Sequence, residues 1–450
     1  MLQKEKWKEL LALAGPVVVS KLSFTMMGIV DTAMVGHLGA TEQAAAGFAV
    51  VYLFTLYVFG LGIITSVNTL VSQNEGAGRS HQSWKICTNG LVISLVLGLV
   101  TWGALLISKP FFKMMGLNST LCLKAYEYLF YRSFGILSVF GYWVYNSFYE
   151  GIGNTRIPML VTIGANVLNI ILDYALIFGI GPIEPLGLRG AGLATALCNL
   201  TMFATLALLL HHDRTIAKRY SNRSGSKWLD LSILRRMIRL GLPMGAQMFL
   251  EVGAFLAFTT IAGWAGNIEL AASQIAMRIM SISFMTAWGI SIATTTLVGR
   301  HQGERRSDLA QSAVIRSLTL VVGFSLLVAA MMIALKHTMV TWFTPFPAVQ
   351  ELAVPVIWAA SLFAIFDSIN LVSYGALRGA GDTVWPLYNV AVMHWIVGIP
   401  LVYVLTIPLQ MGAFGNWLGM SIMMFLQATL MLYRVKSGRW KAIKLVGHAA

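Results

Sequence analysis

Apolar runs of about 20 residues, the length at which an α-helix crosses a hydrocarbon core, recur from one end of this chain to the other. Twelve are expected, at residues 10–35, 44–72, 87–108, 125–149, 157–180, 190–211, 236–262, 271–298, 312–335, 352–376, 384–407 and 412–433. The runs are apolar on all sides instead of alternating over about ten residues, which excludes barrel strands and leaves helices. Hydrophobic residues make up 57% of the chain and charged residues only 11%, a balance that no soluble domain of this size carries. The solvent is a bilayer, and the fold class is all-α integral membrane. The first run follows MLQKEKWKE, is long and lacks a small-residue cleavage pattern, so it reads as a membrane helix and not as a signal peptide.

Basic residues orient the spans. With the N-terminus in the cytoplasm, that side receives most of the 32 Lys and Arg, including the segment Arg214 to Arg239 and the C-terminal tail. The opposite side receives Lys109, Lys113, Lys124, Arg189 and Lys336, and Lys21, Arg132 and Arg278 fall within spans. Both termini are therefore expected to be cytoplasmic. The net charge of +14 follows from this bias and from contact with anionic membrane lipids; no nucleic-acid partner is needed to explain it. Cys87, Cys122 and Cys198 lack metal-ligand spacing and read as free thiols.

The chain is one unit written twice. An offset of 227 places AGPVVVSKL at residue 14 on GLPMGAQMF at residue 241 and holds without a gap for more than sixty residues. Gly36 and Gly39 fall on Gly263 and Gly266, Gly62 on Gly289, Gly76 on Gly303, and Pro16 on Pro243. With an offset of 228, EGIGNTRIP at 150–158 matches RGAGDTVWP at 378–386. Two lobes of six helices follow: 1–212, then a cytoplasmic linker 213–232, then 233–450, related by a pseudo-two-fold axis near the membrane normal. The repeated glycines read as close helix packing and tight turns. Pro16, on the helix that carries Asp31, is a candidate hinge.

The carboxylates within the spans are not repeated. Phe258 stands opposite Asp31, Phe24 opposite Glu251, Val139 opposite Asp367 and Leu401 opposite Asp173. The scaffold does not require these acids, and each costs about 3 kcal/mol at mid-membrane if charged, which marks them as functional. Asn166, Asn169 and Asp173 share a helical face, as do Asp367, Asn370 and Tyr374, and Gln247 lies one turn from Glu251. Such stripes are expected to line a cavity where a carboxylate exchanges a proton or holds a small hard cation among oxygen ligands. Phe24, Met27, Phe255 and Met285 would give that cavity a broad, soft surface for amphipathic cations. Lys21 lies about 80° around the helix from Asp31, so a direct pair is not expected. Arg278 and His394 suit either a buried hydrogen bond or a role in passage. No GxxxxGK[ST], HExxH or His and Cys cluster is present; the chain is not read as an enzyme, no cofactor is expected, and an ion gradient would supply the energy.

LAGPVVVSKLSFTMMGIVDTAMVGHLGA, VSQNEGAGR and the paired turns EGIGNTRIP and RGAGDTVWP, set in twelve spans and two halves, together resemble the MATE (multidrug and toxic compound extrusion) family, particularly its bacterial NorM-like members. The likeness covers nearly the whole chain. It implies two six-helix lobes forming a V around a central cavity in the bacterial inner membrane, with drugs or organic cations exported in exchange for Na⁺ or H⁺, and it is compatible with a monomer. By position Asp31 resembles the first-helix carboxylate of the family's N-lobe site, Asn169 and Asp173 its fifth-helix partners, and Thr195 a fourth member. Glu251 and Asp367 resemble the C-lobe acidic pair linked to cation binding, a possible Na⁺ site. Phe363, one turn before Asp367, stands where some Na⁺-coupled relatives have a tyrosine. The alternative class is a lipid-linked oligosaccharide flippase on a related scaffold, which would need a more basic cavity than these spans offer.

Overall fold

The computed structural model describes residues 2–114, 118–182, 184–212, 220, 229–443 and 445. Most of the expected linker, 213–219 and 221–228, lies outside the described residues. The first half comprises α1 (Leu2–Gly36), α2 (Ala40–Ile64), α3 (Ser66–Gly76), α4 (Ser80–Leu106), α5 (Ser108–Met114), α6 (Ser119–Ser133), α7 (Ile136–Ile152), α8 (Arg156–Asp173) and α9 (Leu188–His212). The second comprises α10 (Leu231–Ala265), α11 (Asn267–Gly303), α12 (Ser307–Ala334), α13 (Lys336–Phe343), α14 (Pro347–Ala380), α15 (Val384–Val390), α16 (Ile399–Thr406) and α17 (Gly412–Lys436). A π-helical turn, Tyr174–Phe178, closes α8, and a second, Ala391–Gly398, joins α15 to α16. No β-strand occurs among the described residues.

Among the described residues, eleven helical stretches are long and apolar enough to cross a membrane. The remaining expected span, 125–149, is broken at Phe134 and Gly135 into α6 and α7, of 15 and 17 residues. Apolar side chains turn outward along the spans. On α4, for example, Leu95, Val96, Leu99 and Val100 are exposed, a surface that only hydrocarbon would solvate.

By internal packing the chain forms two compact units, one of residues 19–245 and one of residues 1–18 with 246–450. Relative to the two sequence halves, only the beginnings of α1 and α10 change sides, and they do so at positions separated by the repeat offset of 227. The unit 19–245 buries Phe112, Phe140, Tyr142, Phe148 and Tyr149. In the other, Phe258, Phe363 and Trp417 centre a core of α10, α11, α14 and α17, and Leu10, Leu13 and Ala14 of α1 pack with Ala287, Ile290 and Leu297 of α11.

The matched glycines have matched reasons. A Cβ on Gly62 would lie 2.4 Å from Gly245 Cα, and one on Gly289 would lie 2.6 Å from Val18 Cγ2. Residues 18 and 245 are themselves a repeat pair, so the same helix crossing is built once in each unit from residues without room for a side chain. Gly153 and Gly381 end α7 and α14 at φ 84° and 91°, the left-handed conformation that only glycine adopts at little cost.

Candidate functional site

Helices α1 and α8 are laced by polar contacts that advance in step along both. Ser20 Oγ donates to Thr162 Oγ1 at 3.1 Å, and Asn166 Nδ2 donates to the Ser23 carbonyl at 2.7 Å. Asn166 is thus spent on joining two helices and does not offer its amide nitrogen to a cavity. Farther along, Asp31 faces Asp173 and Asn169. Asn169 and Asp173 are completely buried. Asn169 reaches both carboxylates and also the thiol of Cys198 on α9. The local fold explains the placement. Spacing of i, i+4 puts Asn169 and Asp173 on one face of α8, and the π turn begins directly after Asp173. That turn is clamped by α9, where a Cβ on Gly190 would lie 2.3 Å from the Leu176 carbonyl oxygen. π turns of this kind are concentrated at functional sites.

Two further positions gain definition. Thr195 is buried and its hydroxyl donates to the Ala191 carbonyl at 3.0 Å, so its proton is committed to its own helix. Arg132 of α6, tallied in the sequence only as a charge within a span, puts its positive charge beside Asp31 and Asp173. Its guanidinium lies 5.5 Å from the ring centre of Tyr128 and donates to that residue's hydroxyl. Met27 is buried, and Phe24 stacks on Trp143 at 5.9 Å and meets Tyr142 at 6.0 Å.

Lys21 is buried within its unit. It is 4% exposed, its Nζ stands 4.9 Å above the Trp143 ring, and its charge faces Glu150, which is 5% exposed. Glu150 also accepts from Asn146 Nδ2 at 2.8 Å and from Asn68 Nδ2 at 3.5 Å.

The second acidic cluster lies among α10, α14 and α17. Gln247 Nε2 donates to Glu251 Oε1 at 3.1 Å, and Arg378 Nη2 donates to Gln247 Oε1 at 3.2 Å. The Arg378 guanidinium lies 5.6 Å from the Tyr374 ring centre, and Gln427 Nε2 donates to the Tyr374 hydroxyl at 2.5 Å. Tyr374 also reaches Glu251, and Asp367 is its like-charge neighbour. Gln247, Asp367, Tyr374 and Gln427 are all buried. Asn370 differs from expectation, because its amide donates to the Met424 carbonyl at 3.3 Å and ties α14 to α17. Phe255 packs on Phe258 and Phe363, with ring centres 6.0 and 6.1 Å apart. His394 stacks on Phe258 within the second π turn, 1% exposed, and reaches the Val390 backbone one turn earlier. Arg278 is exposed. Met285 is partly buried. Pro16 lies inside α1, two residues before that helix changes unit.

Among the described residues, no three His, Cys, Asp or Glu side chains come together as a metal site. The arrangement offers two carboxylates per cluster, each pair flanked by amides, a tyrosine or a cation. Sequence reasoning missed Arg132, Glu150, Arg378 and Gln427. The signal for Glu150 and Arg378 was present, since they open the two matched turns with opposite charges.

The chain matches the MatE family model over residues 16–175 and 243–404, the two repeats. It is 30% identical over 98% of its length, and 96% of the relative's, to the probable multidrug resistance protein NorM of Pseudomonas putida. It is 31% identical to the probable multidrug resistance protein NorM of Bradyrhizobium diazoefficiens, over 98% of this chain and 95% of the relative. The fold is that of the crystal structure of the eukaryotic MATE transporter AtDTX14, with a TM-score of 0.88 and 20% identity over 97% of both chains. A repeat read from the sequence, a helical membrane fold and a family match over both halves agree: this chain belongs to the MatE family.

Proposed function

We propose that this chain is a multidrug efflux antiporter of the bacterial inner membrane, exporting amphipathic and cationic organic compounds in exchange for H⁺ or Na⁺. The observation that carries the reading is the cluster of Asp31, Asn169 and Asp173, two carboxylates that face each other across α1 and α8 at positions the other half of the repeat fills with apolar residues. Two like charges brought together in an apolar surround are costly unless a proton or a small cation sits with them, and such a group can be exchanged. The names of the relatives, multidrug resistance proteins, support the substrate class.

In this reading ion entry from outside occupies the Asp31 cluster and the Glu251 and Asp367 pair, α1 bends at Pro16, and drug leaves outward; drug arriving from the cytoplasm then drives ion discharge. Both termini face the cytoplasm, following the distribution of Lys and Arg. Na⁺, if it is the ion, would find oxygen ligands at Glu251, Asp367 and Tyr374.

The test is dye efflux from vesicles under separate Na⁺ and pH gradients. Asp31→Asn is expected to cut gradient-driven efflux at least tenfold while the protein stays folded by thermal melting, with Asp173→Asn and Asp367→Asn in the same direction. Full activity in all three would end the proposal.

A further inference from the structure

Glu150 and Arg378 hold the same place in the repeat, at the head of EGIGNTRIP and RGAGDTVWP. Each meets a charge of opposite sign on the first helix of its sequence half. In the first half the base, Lys21, is on the first helix and the acid, Glu150, on α7. In the second half the acid, Glu251, is on the first helix, α10, and the base, Arg378, on α14. Removing one member of a buried pair strands the other charge, whereas a pair of either polarity is neutral. Both halves therefore place opposite charges within electrostatic reach at this junction, with the polarity reversed.

Polarity decides what the pair can do. Glu251 has Arg378 within electrostatic reach, is bridged to it through Gln247 by hydrogen bonds of 3.1 and 3.2 Å, and also has the second carboxylate, Asp367, and the Tyr374 hydroxyl beside it. On the reading that Glu251 and Asp367 take the coupling cation, we propose that Arg378 is a tethered counter-cation for Glu251, a positioning residue that competes with the transported cation and so sets the affinity of this site. A guanidinium keeps its charge at every working pH, so the competitor is always present. When a cation reaches Glu251 and Asp367, Arg378 retains Gln247 Oε1 and the Tyr374 face as resting contacts. When the cation leaves, Arg378 again balances Glu251, so the carboxylate is never left alone in an apolar surround. The titratable and charged groups that face Glu251 are Arg378, Tyr374 and Asp367.

The experiment titrates purified full-length protein, without drug, with Na⁺ and in a separate series with protons, reading intrinsic tryptophan fluorescence. Arg378→Gln is expected to lower the half-saturating cation concentration about tenfold, a typical coupling between two ligands. Arg378→Lys, which keeps the charge, should stay within about threefold of the natural protein. In a Glu251→Gln background, Arg378→Gln should shift the half-saturation no further, because its effect runs through Glu251. An unchanged or raised half-saturation in Arg378→Gln, or an equal shift in both backgrounds, overturns the proposal. Thermal melting of the same proteins separates the two readings. If the natural protein binds neither cation, the antiport reading falls and the melting cycle decides the pair: a double variant less destabilised than the sum of the singles supports it, and additivity overturns it. If Arg378→Gln alone does not fold, recovery of a folded double variant supports the pair and failure of both variants overturns it.

Discussion

Gly62→Ala tests the packing logic of the repeat where two helix backbones meet. A Cβ at Gly62 would lie 2.4 Å from Gly245 Cα, 2.6 Å from Gly245 N and 2.8 Å from Met244 C. All three are backbone atoms, so no rotamer change can make room. Ordinary van der Waals contact begins at 3.4 Å, so α2 and α10 must separate by about 1 Å, the kind of overpacking that costs about 1–3 kcal/mol. Alanine also favours a helix interior over glycine by about 0.5–1 kcal/mol, which would mask part of the loss. Gly47→Ala, on the same helix with nothing within 4 Å of the added Cβ, receives that benefit without the clash. The difference between the two variants therefore isolates the clash. At about 2–4 °C per kcal/mol for a unit of this size, Gly62→Ala should melt several degrees below Gly47→Ala in the same detergent. Equal melting, or a higher value for Gly62→Ala, would refute the claim that the crossing of α2 with α10 is set by backbone contact.

The Lys21 and Glu150 pair yields a second expectation: Lys21→Met or Glu150→Gln alone should cost about 3–5 kcal/mol by stranding a buried charge, and the double variant should recover part of it in a melting cycle. At the start of α10, Asp230 Oδ1 accepts from Ser232 Oγ at 2.6 Å, Ser232 N at 2.9 Å and Ile233 N at 3.3 Å. The Ser232 hydroxyl, helped by these backbone N–H groups and by Lys85, holds the Asp230 carboxyl below its ordinary value of 3.8. A lowered folded value means that this cap contributes fully above about pH 3.8 and is lost as pH falls below it. The protection factors of the Ser232 and Ile233 amides, measured against their intrinsic exchange rates, should therefore fall below that pH in the natural protein, and Asp230→Ala should show the low protection at neutral pH, at a cost of about 1 kcal/mol.

Hydropathy and the 227-residue repeat made the membrane class, the two halves and the matched glycines legible, because both signals live in local composition. The break between α6 and α7 was not legible. It falls where a Cβ on Gly135 would meet Ala196 Cα at 2.7 Å, a constraint set by a helix sixty residues away. The π turns after Asp173 and around His394 leave no mark on apolar periodicity for the same reason. The acidic residues were visible because an intramembrane carboxylate is costly wherever it sits, and spacing alone placed Asn169 with Asp173. Their union with Asp31 was expected only from the family resemblance, and it, like the presence of Arg132, depends on how α1, α6 and α8 pack. Asn166 and Asn370 show the converse: a polar stripe predicts a cavity only if neighbouring carbonyls do not claim it first, and Ser23 and Met424 do so here.

Pro16 and Pro243 lie at matched positions, each two residues before its helix changes unit. A proline inside a helix removes one backbone hydrogen bond and crowds the carbonyl four residues back, at a cost of about 3 kcal/mol in water. Neighbouring helices moderate that cost in a membrane, but the bond is still missing, so each helix is easiest to bend where its packing partners change. The two helices then differ in what they carry beyond the bend: α1 carries Asp31, and α10 carries Gln247 and Glu251. If bending of α1 delivers Asp31 to alternate environments, Pro16→Ala should restore the helix bond and raise the melting temperature. Cation binding should be retained, because no atom of the Asp31, Asn169 and Asp173 cluster is altered, while dye efflux should fall at least tenfold. A rigid structural bend predicts otherwise. Its loss would lower stability and leave the ratio of efflux to cation binding unchanged, and that result would remove the hinge from the mechanism.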